Sequence, residues 1–279
     1  MLSLTRVLAL SSLLCVFFVI TLAQDVLAQS PALDFSALKK QKTVSIVGVI
    51  DPYRLSTSDG RIIRLSGINI PDYHPDRPGE VSLMAVRVLD DMLRGKDVTL
   101  YQSKNKLAQT NRMGHLAAHV VSDNNVWVQG ALLQLGLARV ETDSETPEMA
   151  RDMIARERAA RTSKAGLWAF DSYGVLSPAD APKYFESFQI IEGTIHAAAM
   201  KNNRTYLNFG ENWKNDFTVS IAPKDKRKFI KAGIDPLNLG KVKVRVRGWL
   251  SDYNGPYIEI THPEALEILS TAPAPQTAP

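Results

Sequence analysis

Cysteine is nearly absent from this chain. Its 279 residues include one, Cys15, which lies inside the N-terminal apolar run from Val7 to Ala23. A chain without it has nothing to mispair in an oxidising compartment. No cysteine stands near His115 and His119 to complete a zinc site. His119 lies four residues beyond His115, about 13 Å along a strand, too far to share one ion. No internal repeat of solenoid period is present, which excludes stacked-repeat architectures. An excess of one charge is also lacking. The formal net charge is +4 and the sequence pI about 9.1, a mild basic bias that permits a polyanionic partner without requiring one.

The N-terminus has the order of a secretory signal peptide: Arg6, the apolar run, then Val26-Leu27-Ala28 before Gln29. Cleavage is expected after Ala28, which places the protein in the periplasm or outside the cell. The apolar run is short for a full membrane span and Asp25 interrupts it, so no stable span is expected after cleavage. Leu14 precedes Cys15 where a lipid-attachment motif needs a small residue. At the other end, residues 271–279 are Ala, Pro, Gln and Thr only, a composition expected to be disordered. Residues 29–41 form an approach segment, and 171–186 read as a linker, with Gly174, Pro178, Asp180 and Pro182 and no apolar period. Two units remain, 42–170 and 187–270.

The first unit alternates strand and helix signals. Strands are expected at about 43–50, 61–68, 97–102 and 115–121. Val81, Met84, Ala85, Val88, Leu89 and Met92 fall on one helical face, and Gly95 stops that helix. A second helix is expected near Val128 to Leu135. A third is expected from Thr146 as N-cap, with Pro147 in the first turn, through Arg161.

The stretch Gly48 to Asp72 carries the most specific pattern. It reads Gly48-Val-Ile-Asp51-Pro-Tyr53-Arg-Leu55, a turn at Ser58-Asp59-Gly60, and Arg61-Ile-Ile-Arg64-Leu-Ser-Gly67-Ile-Asn69-Ile-Pro71-Asp72. Further on come Glu80 to Leu100, Asn111-Arg-Met-Gly-His115-Leu-Ala117, Val128 to Arg139, and Gly166-Leu-Trp168. Together these resemble the thermonuclease (staphylococcal nuclease) family over roughly Lys42 to Phe170. The resemblance implies an OB-type five-stranded barrel with helices packed on it.

The same resemblance implies a calcium-dependent phosphodiesterase site, and here this sequence departs from the family. The two calcium positions hold Tyr53 and Asn69, with Asp51 nearby. Arg64 is retained, Asp72 replaces a glutamate, and His115 replaces an arginine. Calcium takes about six to eight oxygen ligands and draws its affinity from carboxylates. A tyrosine is neutral near pH 7 and an asparagine carbonyl carries no charge. Without the ion nothing polarises the phosphate or generates hydroxide. An imidazole lacks the bidentate fork of a guanidinium, and withdrawal of a carboxylate by about 1 Å can cost ~100-fold. Arg64, Asp72 and His115 are thus the family-equivalent catalytic positions of a degenerate site, with no cofactor expected. The alternative is an active enzyme that uses Ca2+ in altered geometry through Asp51, Asn69, Asp72 and Arg64. Asp51 fits equally as the polar residue that ends a strand.

Residues 187–270 carry strand signals at Ile190 to Ile195, Arg204 to Phe209, Phe217 to Ile221, Val242 to Leu250 and Tyr257 to Thr261. A charged helix from Lys224 to Lys231 lies between the third and fourth. Asn254-Gly255 marks a hairpin. Five strands in that order predict a second small OB-like barrel, giving a mainly β (α+β) chain. In Lys241-Val-Lys-Val-Arg-Val-Arg247 the valines alternate with Lys241, Lys243, Arg245 and Arg247, so one face is expected to be cationic. Tyr206, Trp213, Tyr253 and Tyr257 offer stacking surface, as in domains that bind single strands.

Three functions follow as expectations. The first is a non-catalytic exported protein that binds single-stranded nucleic acid or another polyanion. The second is a metal-dependent nuclease with an altered site. The third is an envelope interaction scaffold, whose protein partners the sequence does not name.

Overall fold

The computed structural model of the protein describes residues 33–212 and 215–270. The chain separates into a short unit, Met1–Ser36, and a large one, Ala37–Pro279. The signal-peptide expectation for residues 1–28 and the disorder expectation for 271–279 lie outside the described residues. Among the described residues, no helix is long and apolar enough to cross a membrane.

Alternating apolar residues build a closed barrel first. Its strands are β1 (Lys39–Asp51), β2 (Arg54–Thr57), β3 (Ile62–Leu65), β5 (Asp97–Gln102) and β6 (Leu116–Ser122), closed in the order β1-β2-β3-β6-β5. Strands β3 and β6 run parallel, with Ile63 opposite Leu116, while the other neighbours are antiparallel. Ile46, Leu55, Ile63, Leu65, Val98, Leu100 and Val120 are fully or almost fully buried. The expected strand at 43–50 ends at Asp51, ahead of Pro52, whose ring cannot donate to the ladder. Strand β2 beyond it is the barrel's fifth.

Three helices accompany this barrel. Helix α1 (Glu80–Leu93) buries Val81, Ala85, Leu89 and Leu93 at helical spacing. Helix α2 spans Val128–Gln134, and α3 spans Ala150–Thr162. The start of α3 differs from expectation. Thr146 and Pro147 lie in a loop, because the Asp143 carboxylate accepts from the amides of Glu145 and Thr146 and holds them out of helical geometry. A two-stranded ribbon, β4 (Ile68–Asn69) with β7 (Arg139–Val140), completes this half.

The second half of the same compact unit is a seven-stranded sheet. Its strands are β8 (Ser187–Thr194), β9 (Ala197–Lys201), β10 (Arg204–Asn208), β11 (Thr218–Ile221), β12 (Lys243–Asp252), β13 (Pro256–Glu259) and β14 (Leu266–Ile268). Helix α4 (Pro223–Lys231) lies between β11 and β12. The pairing runs β9-β10-β11-β13-β12, with both β8 and β14 against β12, and β11 parallel to β13. Read with β8 and β9 as one bent strand, this order repeats that of the first barrel. The sequence reading missed β9 and β14, because Ala197-Ala-Ala-Met-Lys201 has weak strand propensity and β14 is three residues long. Val219, Phe229, Val244, Val246 and Ile258 form its fully buried centre.

Candidate functional site

Two concavities organise the chemistry, one beside the barrel and one on the second sheet. The first is a cleft of about 480 Å3 beside Arg64, lined by Gly67, Asn111, Glu141, Asp143, Glu145 and Thr146 among others. The retained Arg64 opens into it from β3 and is exposed. Its guanidinium lies 5.4 Å from the centre of the Tyr53 ring, a cation–π contact. Among the described residues it makes no ion pair.

The other family positions are engaged elsewhere. The Tyr53 hydroxyl donates to the Ile70 carbonyl at 3.2 Å, and the Ile70 amide donates to it at 2.6 Å. Burial pushes this phenol up to about 12, so it stays neutral at physiological pH. The Asn69 side-chain carbonyl accepts from Arg139 at 3.3 Å, while its amide donates to Glu141 at 3.0 Å. Arg139 is buried, donates to the Phe188 carbonyl at 2.8 Å, and sits 5.4 Å from the Phe188 ring. Burial lowers its guanidinium to about 10, still fully protonated at neutral pH. A fixed cation therefore faces the oxygen of Asn69.

Asp51 is buried at the end of β1. Its carboxylate accepts from the Tyr53 amide at 2.8 Å, from Arg54 at 2.6 Å and from the Tyr73 hydroxyl at 3.0 Å. Asp72 caps α1 from outside the helix, accepting from the Val81 and Ser82 amides at 2.9 Å each. The N-cap residue itself is Gly79. A Cβ there would lie 2.2 Å from the Asp72 carboxylate, so the cap requires glycine at 79. His115 is buried, and its amide donates to Asn111 at 3.0 Å. It does not line the Arg64 cleft.

A calcium ion does not fit this donor set. The ion takes about six to eight oxygens, chiefly anionic. Here the phenol is neutral, the Asn69 oxygen is covered by a guanidinium, and the Asp51 and Asp72 oxygens already accept two or three hydrogen bonds. Among the described residues, no group of three or more His, Cys, Asp or Glu is placed to hold a metal. The structure brings Arg64 to Tyr53 and Tyr53 to the Ile70 backbone. It turns Asp72 toward α1 and His115 into the interior.

Residues 62–170 match the family model described as Staphylococcal nuclease homologue. The SNase-like domain thus carries Arg64, Asn69, Asp72 and His115 inside the match, whereas Asp51 and Tyr53 precede it. No curated protein matches the chain. An SNase-like domain is compatible with nuclease action or nucleic-acid binding, and its closed barrel fits an OB-like fold.

The expected cationic face of β12 is corrected by its neighbours. Register places Arg245 opposite Glu192 on β8 and opposite Glu267 on β14. Arg245 reaches Glu192 at 2.5 Å and Glu267 at 3.4 Å, and Lys243 reaches Glu192 at 2.7 Å. Arg247 is buried between Glu157 of α3 at 2.9 Å and Glu267 at 2.7 Å. Lys241 precedes the strand, at a left-handed φ of 67°. Only Lys243 and Lys241 remain exposed, so the four cations do not form one solvent-facing row.

The second concavity, about 430 Å3, lies on the outer side of the second sheet. Tyr206 and Tyr257, both expected as binding residues, line it with Tyr253. Trp213 lies outside the described residues. Sequence reasoning missed three asparagines of the same pocket, Asn202, Asn208 and Asn254. The Asn254-Gly255 turn was the available signal for one of them. Glu141 and Arg139 were also missed, since nothing in their local pattern announces a partner at position 69.

Proposed function

We propose that this chain is an exported nucleic-acid-binding protein whose SNase-like domain does not hydrolyse phosphodiesters. One observation carries the reading: the groups that would hold calcium and activate water are already bound within the protein. The neutral Tyr53 hydroxyl is tied to Ile70, the Asn69 oxygen to Arg139, and the Asp72 carboxylate to the first turn of α1. Export is read from the order of the first 28 residues alone.

The Arg64 cleft is a poor holder of a polyanion. Three carboxylates, Glu141, Asp143 and Glu145, line it against one guanidinium, and like charges oppose phosphate entry. Binding therefore belongs on another surface. We read the second sheet as an OB-type barrel, since its strand order repeats that of the first.

The test is incubation of the purified chain with labelled single-stranded DNA, in calcium and in chelator, followed by gel analysis and fluorescence anisotropy. The expected result is intact DNA in both conditions, with a saturable rise in anisotropy. Calcium-dependent cutting would overturn the non-hydrolytic reading. Intact DNA with no binding would overturn nucleic-acid recognition and leave an interaction scaffold.

A further inference from the structure

The pocket on the second sheet is built differently from a polyanion groove. Its described lining contains three tyrosines, three asparagines, Thr218, Ala199 and one cation, Lys201, with no carboxylate. Two hairpin turns supply Asn202 and Asn254, and the end of β10 supplies Asn208. The two-residue turn between β9 and β10 places Asn202 and Asn203 at φ of 50° and 61°, and the β12–β13 turn places Asn254 and Gly255 at 54° and 94°. Asparagine and glycine tolerate this left-handed region, so the turns fix amide side chains at the pocket rim.

The aromatic part is preorganised. The Tyr257 hydroxyl is hydrogen-bonded to Ser220, and Arg204 donates to it at 3.4 Å while bridging Ser220 and Glu259. This pins one ring. Tyr253 stands beside it with ring centres 5.4 Å apart and planes tilted by 59°, so the two rings do not stack on each other. Tyr253 is 63% exposed. The Asn208 side-chain oxygen accepts from the Thr218 hydroxyl at 3.3 Å, which leaves the side-chain nitrogen for a ligand.

Aromatic faces next to amides that pair a donor with an acceptor match an unpaired nucleobase. The face stacks, and the base edge finds both hydrogen-bonding senses. We propose that this pocket holds the unstacked bases of a single-stranded nucleic acid, by stacking on Tyr253 and Tyr257 and through the three asparagines. The inference rests on the nucleic-acid reading above and deepens it. Arg204 is neutralised by Glu259 at 2.8 Å, so phosphate neutralisation by the pocket is small and binding is driven by stacking.

The test measures anisotropy of a fluorescein-labelled oligothymidine about ten nucleotides long, against the whole chain at several salt concentrations. The logarithm of affinity is expected to fall with the logarithm of salt at a slope no steeper than about −1, since each neutralised phosphate of a single strand contributes about −0.7 and the pocket lining holds one cation. Tyr253→Ala, at an exposed position, is expected to weaken binding roughly 10-fold. Tyr257→Phe keeps the ring and is expected to bind within about 3-fold of the unmodified chain.

Equal affinity for a duplex of the same length would overturn the proposal, because paired bases are closed to stacking. So would a slope steeper than about −4, which places binding on a cationic surface such as α4. Displacement of the oligothymidine by a neutral glucan oligomer would identify a saccharide pocket instead. Binding unaltered by Tyr253→Ala would overturn the pocket while sparing the nucleic-acid reading. No oligothymidine binding at all would overturn both.

Discussion

Tyr53 stands where the family resemblance implies an anionic ligand, and its hydroxyl now closes a backbone gap. The Ile70 amide donates to it at 2.6 Å and the Ile70 carbonyl accepts from it at 3.2 Å. Removing only that oxygen strands the buried Ile70 amide, while the Ile70 carbonyl still accepts from the Tyr73 amide at 3.2 Å. Tyr53→Phe is therefore expected to lower stability by about 1–3 kcal/mol in urea titrations, the range for an orphaned buried polar group. A neutral outcome would mean that water reaches Ile70. Asp72 shows the same reassignment. The sequence marks it as a shortened carboxylate, but its use as a cap for α1 depends on a loop that returns Asp72 beside Gly79. That closure is not written in the residues between them.

At the scale of elements, β12 illustrates what alternation conceals. Its pattern of valine and cation predicts two faces correctly, with Val244 and Val246 buried. It says nothing of Glu192 and Glu267, which register brings across from β8 and β14, or of Glu157 on α3. Glu157 is fully buried and accepts from the Val140 amide, Arg161 and Arg247. Truncating one member of such a group strands the others in a dry site. Glu157→Ala is expected to cost about 3–5 kcal/mol in thermal or urea unfolding. Arg158→Ala, whose side chain is 60% exposed beside Glu267, is expected to change stability by less than about 1 kcal/mol. Similar losses for both would mean that the Glu157 cluster is hydrated.

At the scale of the whole molecule, each half holds a buried histidine kept neutral. His119 sits inside the first half against Trp127, and burial lowers it to about 4. His262 contacts Thr142 at 3.0 Å, and burial again lowers it to about 4. In both cases the folded value lies below the ordinary 6.5, so the unfolded chain binds more protons between those values. Stability therefore falls as pH drops from about 6.5 to about 4. Below that range the folded chain takes the protons too and this contribution levels off. Each histidine contributes at most on the order of 3 kcal/mol across the window. Urea midpoints measured from pH 4 to 7 are expected to rise with pH. His119→Phe is expected to make that rise shallower, and an unchanged slope would show that His119 is protonated in the folded chain.

The family resemblance implied the closed first barrel and carboxylates where Tyr53 and Asn69 stand, while the sequence by itself determined four of that barrel's strands and the helix that buries Val81, Ala85, Leu89 and Leu93. Local periodicity and residue chemistry are sufficient for these, because each is a property of neighbours along the chain. Only the tertiary structure decided that Asn69 faces Arg139, that Asp72 caps a helix, and that β12 is neutralised by three glutamates. It also gathered Tyr206, Tyr253 and Tyr257 with asparagines from two hairpins into one pocket. Those outcomes depend on strand register and loop closure, which join residues tens of positions apart. No local pattern carries that information, since electrostatic and hydrogen-bond partners are chosen by distance in space.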